Sequence, residues 1–125
     1  MTSTGIARSL IVCAGIMGAA GVALAAAGAH LPDAGRLSTA ALMLLLHAAA
    51  ILGAAALAER GVAQPMLGLI AGAGFVLGAS LFAGDLAARF FAERGLFPRA
   101  APTGGILLML SWLLLAVAAM WPRKG

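Results

Sequence analysis

Residues 37–58 read LSTAALMLLLHAAAILGAAALA, a run without a formal charge that closes at Glu59-Arg60-Gly61. About 20 mostly apolar residues suffice for a helix to cross the roughly 30 Å hydrocarbon core of a bilayer. In lipid each backbone N–H and C=O must find its partner inside the segment, which selects a helix. The run is continuous and not alternating, so it does not read as a strand of a membrane barrel. Three further runs of the same kind surround it. The sequence therefore predicts an all-α protein: a four-helix transmembrane bundle in one integral membrane domain, with helices at about 9–29, 37–58, 65–85 and 104–121.

The bulk composition agrees. Of the 125 residues, 63% are hydrophobic and 10% charged, and the mean hydropathy is +1.08. A soluble domain of this size needs far more polar surface. Four spans take up about 80 positions and leave room only for short connections. The lone cysteine, Cys13, excludes an intrachain disulfide and a multi-thiolate metal site; inside the first run it reads as a small buried hydrophobe. The net charge of +4 is scattered over the helix ends, where Lys and Arg anchor a membrane protein, so no nucleic-acid partner is expected.

The connections carry the turn chemistry. Arg8 precedes the first run, whose Ala23-Leu24-Ala25 imitates a secretory cleavage site. Its near-spanning length and the three runs behind it mark it as a retained helix. His30-Leu31-Pro32-Asp33-Ala34-Gly35-Arg36 breaks the chain, Gly61 reads as a C-cap glycine, and Pro65 is placed to open the third helix. The longest connection, 87–102, mixes Arg89, Arg94 and Arg99 with Phe90, Phe91, Leu96 and Phe97. That mixture predicts an interfacial segment between helices three and four. Trp121 is placed as an interface anchor.

Arg8, Arg60, Arg123 and Lys124 fall on the side of the termini, against Arg36, Arg89, Arg94 and Arg99 on the other. With the count even, the compact terminal Arg-Lys pair tips the expectation towards both termini in the cytoplasm.

Lipid tails supply no hydrophobic drive for helix association, so close backbone approach must supply it. Gly68 and Gly72 form one G-x-x-x-G pair, and Gly74 and Gly78 another on a different face of the same helix. With Gly15, Gly18, Gly21 and Gly28 in helix one, this makes helices one and three the expected inner pair. Helices two and four, richer in leucine, are expected to face lipid.

Few residues could do chemistry. His47 lies ten residues past Leu37, about 15 Å into the core. An ionisable group at that depth is a functional candidate. Three roles are open: proton relay, haem or copper ligand, and neutral hydrogen-bond partner between helices. No acid lies in the core of another helix to serve a relay. Met43, four residues earlier, faces the same way and suits a His–Met site as well as core packing. His30 lies about 15 Å higher, too far to share a metal with His47. His30, Asp85 and Thr103 end up on one membrane face, so a polar cluster there is geometrically open, although Thr103 also reads as the N-cap of helix four. Ser80 and Ser111 are expected to bond to carbonyls of their own helices. No nucleophile–base pair, phosphate loop or carboxylate pair occurs, so no enzyme is expected.

Several short segments carry a resemblance. Ala26-Ala27-Gly28-Ala29-His30-Leu31, His47-Ala48-Ala49-Ala50-Ile51-Leu52, Leu81-Phe82-Ala83-Gly84-Asp85-Leu86 and Ala101-Pro102-Thr103-Gly104-Gly105 followed by Trp112 come in one order along the chain. Together they resemble the YgdD-like inner-membrane proteins, domain of unknown function 423, to which mitochondrial transmembrane protein 256 is related. This chain has Leu42-Met43 where that family usually has Glu-Tyr, Ala87 where it often has tyrosine, and no tyrosine at all. The resemblance implies a four-helix protein of the bacterial inner membrane and no particular activity. An accessory or scaffold subunit of a larger membrane complex, possible in the respiratory chain, is the function these features suggest. Its partners would be the lipid bilayer and either another membrane protein or a second copy of itself. A haem- or metal-binding protein using His47 and a small four-helix transporter are the alternatives.

Overall fold

The structure, a computed structural model, describes residues 2–122. Arg123 and Lys124, which tipped the orientation count, lie outside the described residues. Four helices follow one another: α1 (Ser3–His30), α2 (Gly35–Glu59), α3 (Pro65–Phe91) and α4 (Ala100–Met120). Each is long and apolar enough to cross a membrane. No strand occurs among the described residues.

Local chemistry explains the ends. Thr2 caps α1 by accepting from the Gly5 N–H, so the helix starts six residues before the apolar run and takes in Arg8. Gly61 adopts a φ of 71° beyond α2, the left-handed conformation that glycine tolerates. Pro65 opens α3, and the Gln64 side chain accepts from the Leu67 N–H at 2.7 Å.

The third connection departs most from expectation. α3 continues six residues beyond Asp85, and α4 begins at Ala100, so the connection is only 92–99. Pro102 falls in the first turn of α4, where a missing N–H costs nothing. Thr103 is therefore not the N-cap: Arg99 holds that position with a φ of 64°, and the Thr103 N–H donates to its carbonyl. Phe91, Leu96 and Phe97 are exposed around this connection.

The helices alternate in direction. Gly28 abuts Ser38 and Gly21 abuts Leu45 across α1–α2, Gly68 abuts Ala58 and Gly72 abuts Ala54 across α2–α3, and Gly74 abuts Ser111 and Gly78 abuts Leu108 across α3–α4. In each pair one number rises as the other falls. The sequential neighbours pack on one another, and α1 also touches α3.

The expected inner pair is wrong in one member. Half of the most apolar stretch of α3 (50%) and 44% of that of α2 are buried, against 22% for α1 and for α4. The central pair is α2 and α3. Alanine explains the difference: Ala40, Ala41, Ala48, Ala54, Ala55 and Ala58 line the buried side of α2 and permit the same close approach as glycine. Short loops then keep α1 and α4 on the outside, each beside its sequence neighbour.

Gly68 and Gly72 pack towards α2 and α1, meeting Ala58, Ala54 and Leu10, whereas Gly74 and Gly78 pack towards α4, meeting Ser111, Leu108 and the Gly104 carbonyl. A Cβ on Gly104 would stand 2.6 Å from the Gly78 carbonyl oxygen. Backbone meets backbone at this seam.

Candidate functional site

His47 occupies the middle of α2, twelve residues from Gly35 and twelve from Glu59, about 18 Å along the axis from either end. Only 3% of it is exposed. Its Nδ1 lies 2.8 Å from the Met43 carbonyl oxygen, one turn back. Because a carbonyl only accepts, Nδ1 carries the proton and Nε2 the lone pair. The Trp112 indole N–H, on α4, donates to that Nε2 at 3.1 Å. Both ring nitrogens are thus satisfied in a neutral imidazole, and the bond ties α2 to α4.

Phe75 of α3, fully buried, completes the cluster. Its ring centroid lies 5.6 Å from His47 and 4.7 Å from Trp112, and both contacts are tilted. His47 and Trp112 meet edge to face at 5.9 Å. These spacings suit aromatic pairs. Three helices meet through these three rings. Trp112, the decisive partner, entered the sequence reading only as part of a motif, and Phe75 did not enter at all. An indole in a lipid-facing helix needs an acceptor, which was the one signal available for Trp112.

A cleft of about 230 Å³ opens beside this pair, lined among others by Met43, His47, Phe82, Met109 and Trp112. Gly105 also borders it. Gly105 keeps the wall low, since a Cβ there would approach only Phe82, at 3.9 Å. Among the described residues no three His, Cys, Asp or Glu side chains converge on one point.

The second polar centre lies at the α3–α4 end. Asp85 is 1% exposed; its Oδ2 accepts from Arg89 Nε at 2.9 Å and its Oδ1 from the Leu96 N–H at 2.9 Å. The carboxylate thereby pins the connection to α3, and the (i, i+4) ion pair carries the helix past the charge. Gly95 leaves space for it: a Cβ there would collide with Oδ1 and with the Arg89 guanidinium.

The proposed cluster of His30, Asp85 and Thr103 does not form. His30 is exposed at the end of α1 and its Nδ1 bonds the Ala26 carbonyl at 2.8 Å. Thr103 is exposed in the first turn of α4, and Asp85 bonds Arg89 and the Leu96 N–H, with the Ala101 backbone at the start of α4 also turned towards it. The acid is held by a guanidinium one turn away and by backbone N–H groups, and neither the imidazole nor the hydroxyl is among its partners. Ser111 donates to Leu107 at 2.8 Å within α4, whereas Ser80 is exposed. Every buried side-chain nitrogen or oxygen among the described residues has a partner.

Fold and site together define a multi-pass membrane protein: a four-helix bundle whose buried polar side chains, among the described residues, all have partners within the bundle. Within that class the chain belongs to the family described as protein of unknown function (DUF423), which it matches over residues 24–105. The matched span holds His47, Phe75, Asp85 and Gly104, and Trp112 lies seven residues beyond it. No curated protein and no solved structure matches the chain.

Proposed function

We propose that this protein is a non-enzymatic accessory or scaffold subunit of a larger membrane assembly in the bacterial inner membrane, with both termini in the cytoplasm. One observation carries the reading: the deep polar groups are spent on holding the bundle together, while the outer faces of α1 and α4 stay apolar and uncovered. His47 bonds Met43 and Trp112, and Asp85 bonds Arg89 and Leu96. On α1, Ile11, Val12, Ile16 and Val22 are exposed, and on α4 Ile106, Leu110 and Leu113. Small residues on α1, such as Gly15 with nothing near its Cβ position, let a partner helix approach closely. The resemblance to mitochondrial transmembrane protein 256 supports an energy-converting membrane, and hence a respiratory assembly, by analogy. A transporter would need a charged coupling group at mid-depth, where this chain has a neutral imidazole with both nitrogens engaged.

The test is purification in mild detergent at native expression level, with mass spectrometry of co-purifying chains and an absorbance spectrum. A stoichiometric membrane partner without a chromophore is the expected result. A chain that purifies alone overturns the reading.

A further inference from the structure

The cleft beside His47 is bordered by that histidine and by two methionines, Met43 on α2 and Met109 on α4. We propose that His47, Met43 and Met109 form a binding site for a soft monovalent metal ion, Cu(I) or its redox-inert analogue Ag(I). This goes beyond the subunit reading, and it opens one of the bonds that reading counts as holding the bundle, that of Trp112 to His47.

The chemistry of the donors selects the ion. Thioethers are soft ligands that favour Cu(I) over hard cations, and imidazole is an accepted companion. A divalent site would call for several His, Cys, Asp or Glu side chains, which do not converge anywhere among the described residues. The three donors are neutral, so binding displaces no proton, and the bound charge is +1.

The second observation is the orientation of the ring. A ligating histidine usually donates its other N–H to a carbonyl or carboxylate, which fixes the tautomer and raises the basicity of the ligating nitrogen. His47 already has that arrangement: Nδ1 donates to the Met43 carbonyl, and the Nε2 lone pair accepts from Trp112, a residue that lines the same cleft. Metal binding exchanges the indole bond to Nε2 for a metal–nitrogen bond. Trp112 is 43% exposed and Met109 60%, so both have room to move towards lipid, whereas His47 is fixed. On release, the Trp112 ring and that of Phe82, which line the same cleft, remain available to face the cation. That attraction and the three metal–ligand bonds offset the cost of placing one positive charge in an apolar surrounding.

The experiment uses the full chain in detergent, anaerobic and with ascorbate, titrated with Cu(I) against a chromophoric Cu(I) chelator. Ag(I) is added in parallel while the indole N–H resonance of Trp112 is followed by NMR. We expect one ion per chain and a shifted Trp112 resonance at one equivalent of Ag(I). Met43→Leu/Met109→Leu conserves volume, so the fold survives, and affinity should fall by about tenfold or more. Cys13→Ser should bind as the unaltered chain does. Three results would overturn the assignment: no ion taken up by protein whose His47–Trp112 resonance is intact, equal affinity in the double methionine variant, or binding lost in Cys13→Ser.

Discussion

Replacing Gly104 by alanine adds one carbon where the backbones of α3 and α4 meet. The new Cβ would lie 2.6 Å from the Gly78 carbonyl oxygen, 2.8 Å from the Phe82 nitrogen and 3.1 Å from the Leu81 Cβ. The first distance is roughly 1 Å inside the optimal separation of non-bonded heavy atoms. Two of the three neighbours are backbone atoms, which cannot turn away as a side chain would, so the helices must part. Overpacking of this kind costs about 1–3 kcal/mol. Gly15 is the matched control, since nothing lies within 4 Å of its Cβ position. Alanine is favoured over glycine in a helix by about 1 kcal/mol at either site, so comparing the variants removes the propensity gain and leaves the clash. In mixed micelles titrated with SDS and followed by circular dichroism, Gly15→Ala should unfold at or above the midpoint of the unaltered protein. Gly104→Ala should be about 1–3 kcal/mol less stable than Gly15→Ala, roughly a 5- to 150-fold shift in the folded-to-unfolded ratio. Coincident curves for the two variants would refute the backbone contact between α3 and α4.

Three further perturbations address the polar groups. Trp112→Phe keeps a ring against Phe75 but leaves the buried Nε2 of His47 without its donor, a loss of about 1–3 kcal/mol; adding His47→Leu removes the orphaned acceptor and should recover part of it in the same titration. Asp85→Ala frees the Leu96 N–H and Arg89 together. A bond to a charged acceptor is of the order of 1.5–3 kcal/mol, so limited proteolysis within 92–99 should speed up by roughly tenfold, with the helical signal unchanged; an unaltered cleavage rate would show that the carboxylate does not hold the loop. Gln64→Ala removes the acceptor for the Leu67 N–H and should cost about 1 kcal/mol, without moving the start of α3, because Pro65 fixes the first turn; backbone chemical shifts over 62–67 would report both.

How far the site was legible differs residue by residue. His47 could be placed at mid-depth by counting along one helix, since depth depends only on rise per residue and the run's ends. Its partner could not: Trp112 lies 65 positions away, and helices that are apolar all round carry no stripe to say which faces meet. Gly104 stood out as part of a motif, but its reason, the Gly78 carbonyl, belongs to another helix. Asp85 was read as the end of α3 because charge usually closes an apolar run. The structure lets α3 run on since Arg89, one turn later, neutralises the acid and turns it towards the loop.

The number of helices, their approximate spans and their all-α character were determined by the sequence alone. Each follows from a local requirement, that a continuous apolar stretch in lipid satisfy its own backbone. Which helices lie at the centre and which indole reaches the Nε2 of His47 were decided only by the tertiary structure. Those outcomes rest on distances between side chains far apart in the chain, and hydropathy, being a sum over neighbours in sequence, holds no information about them.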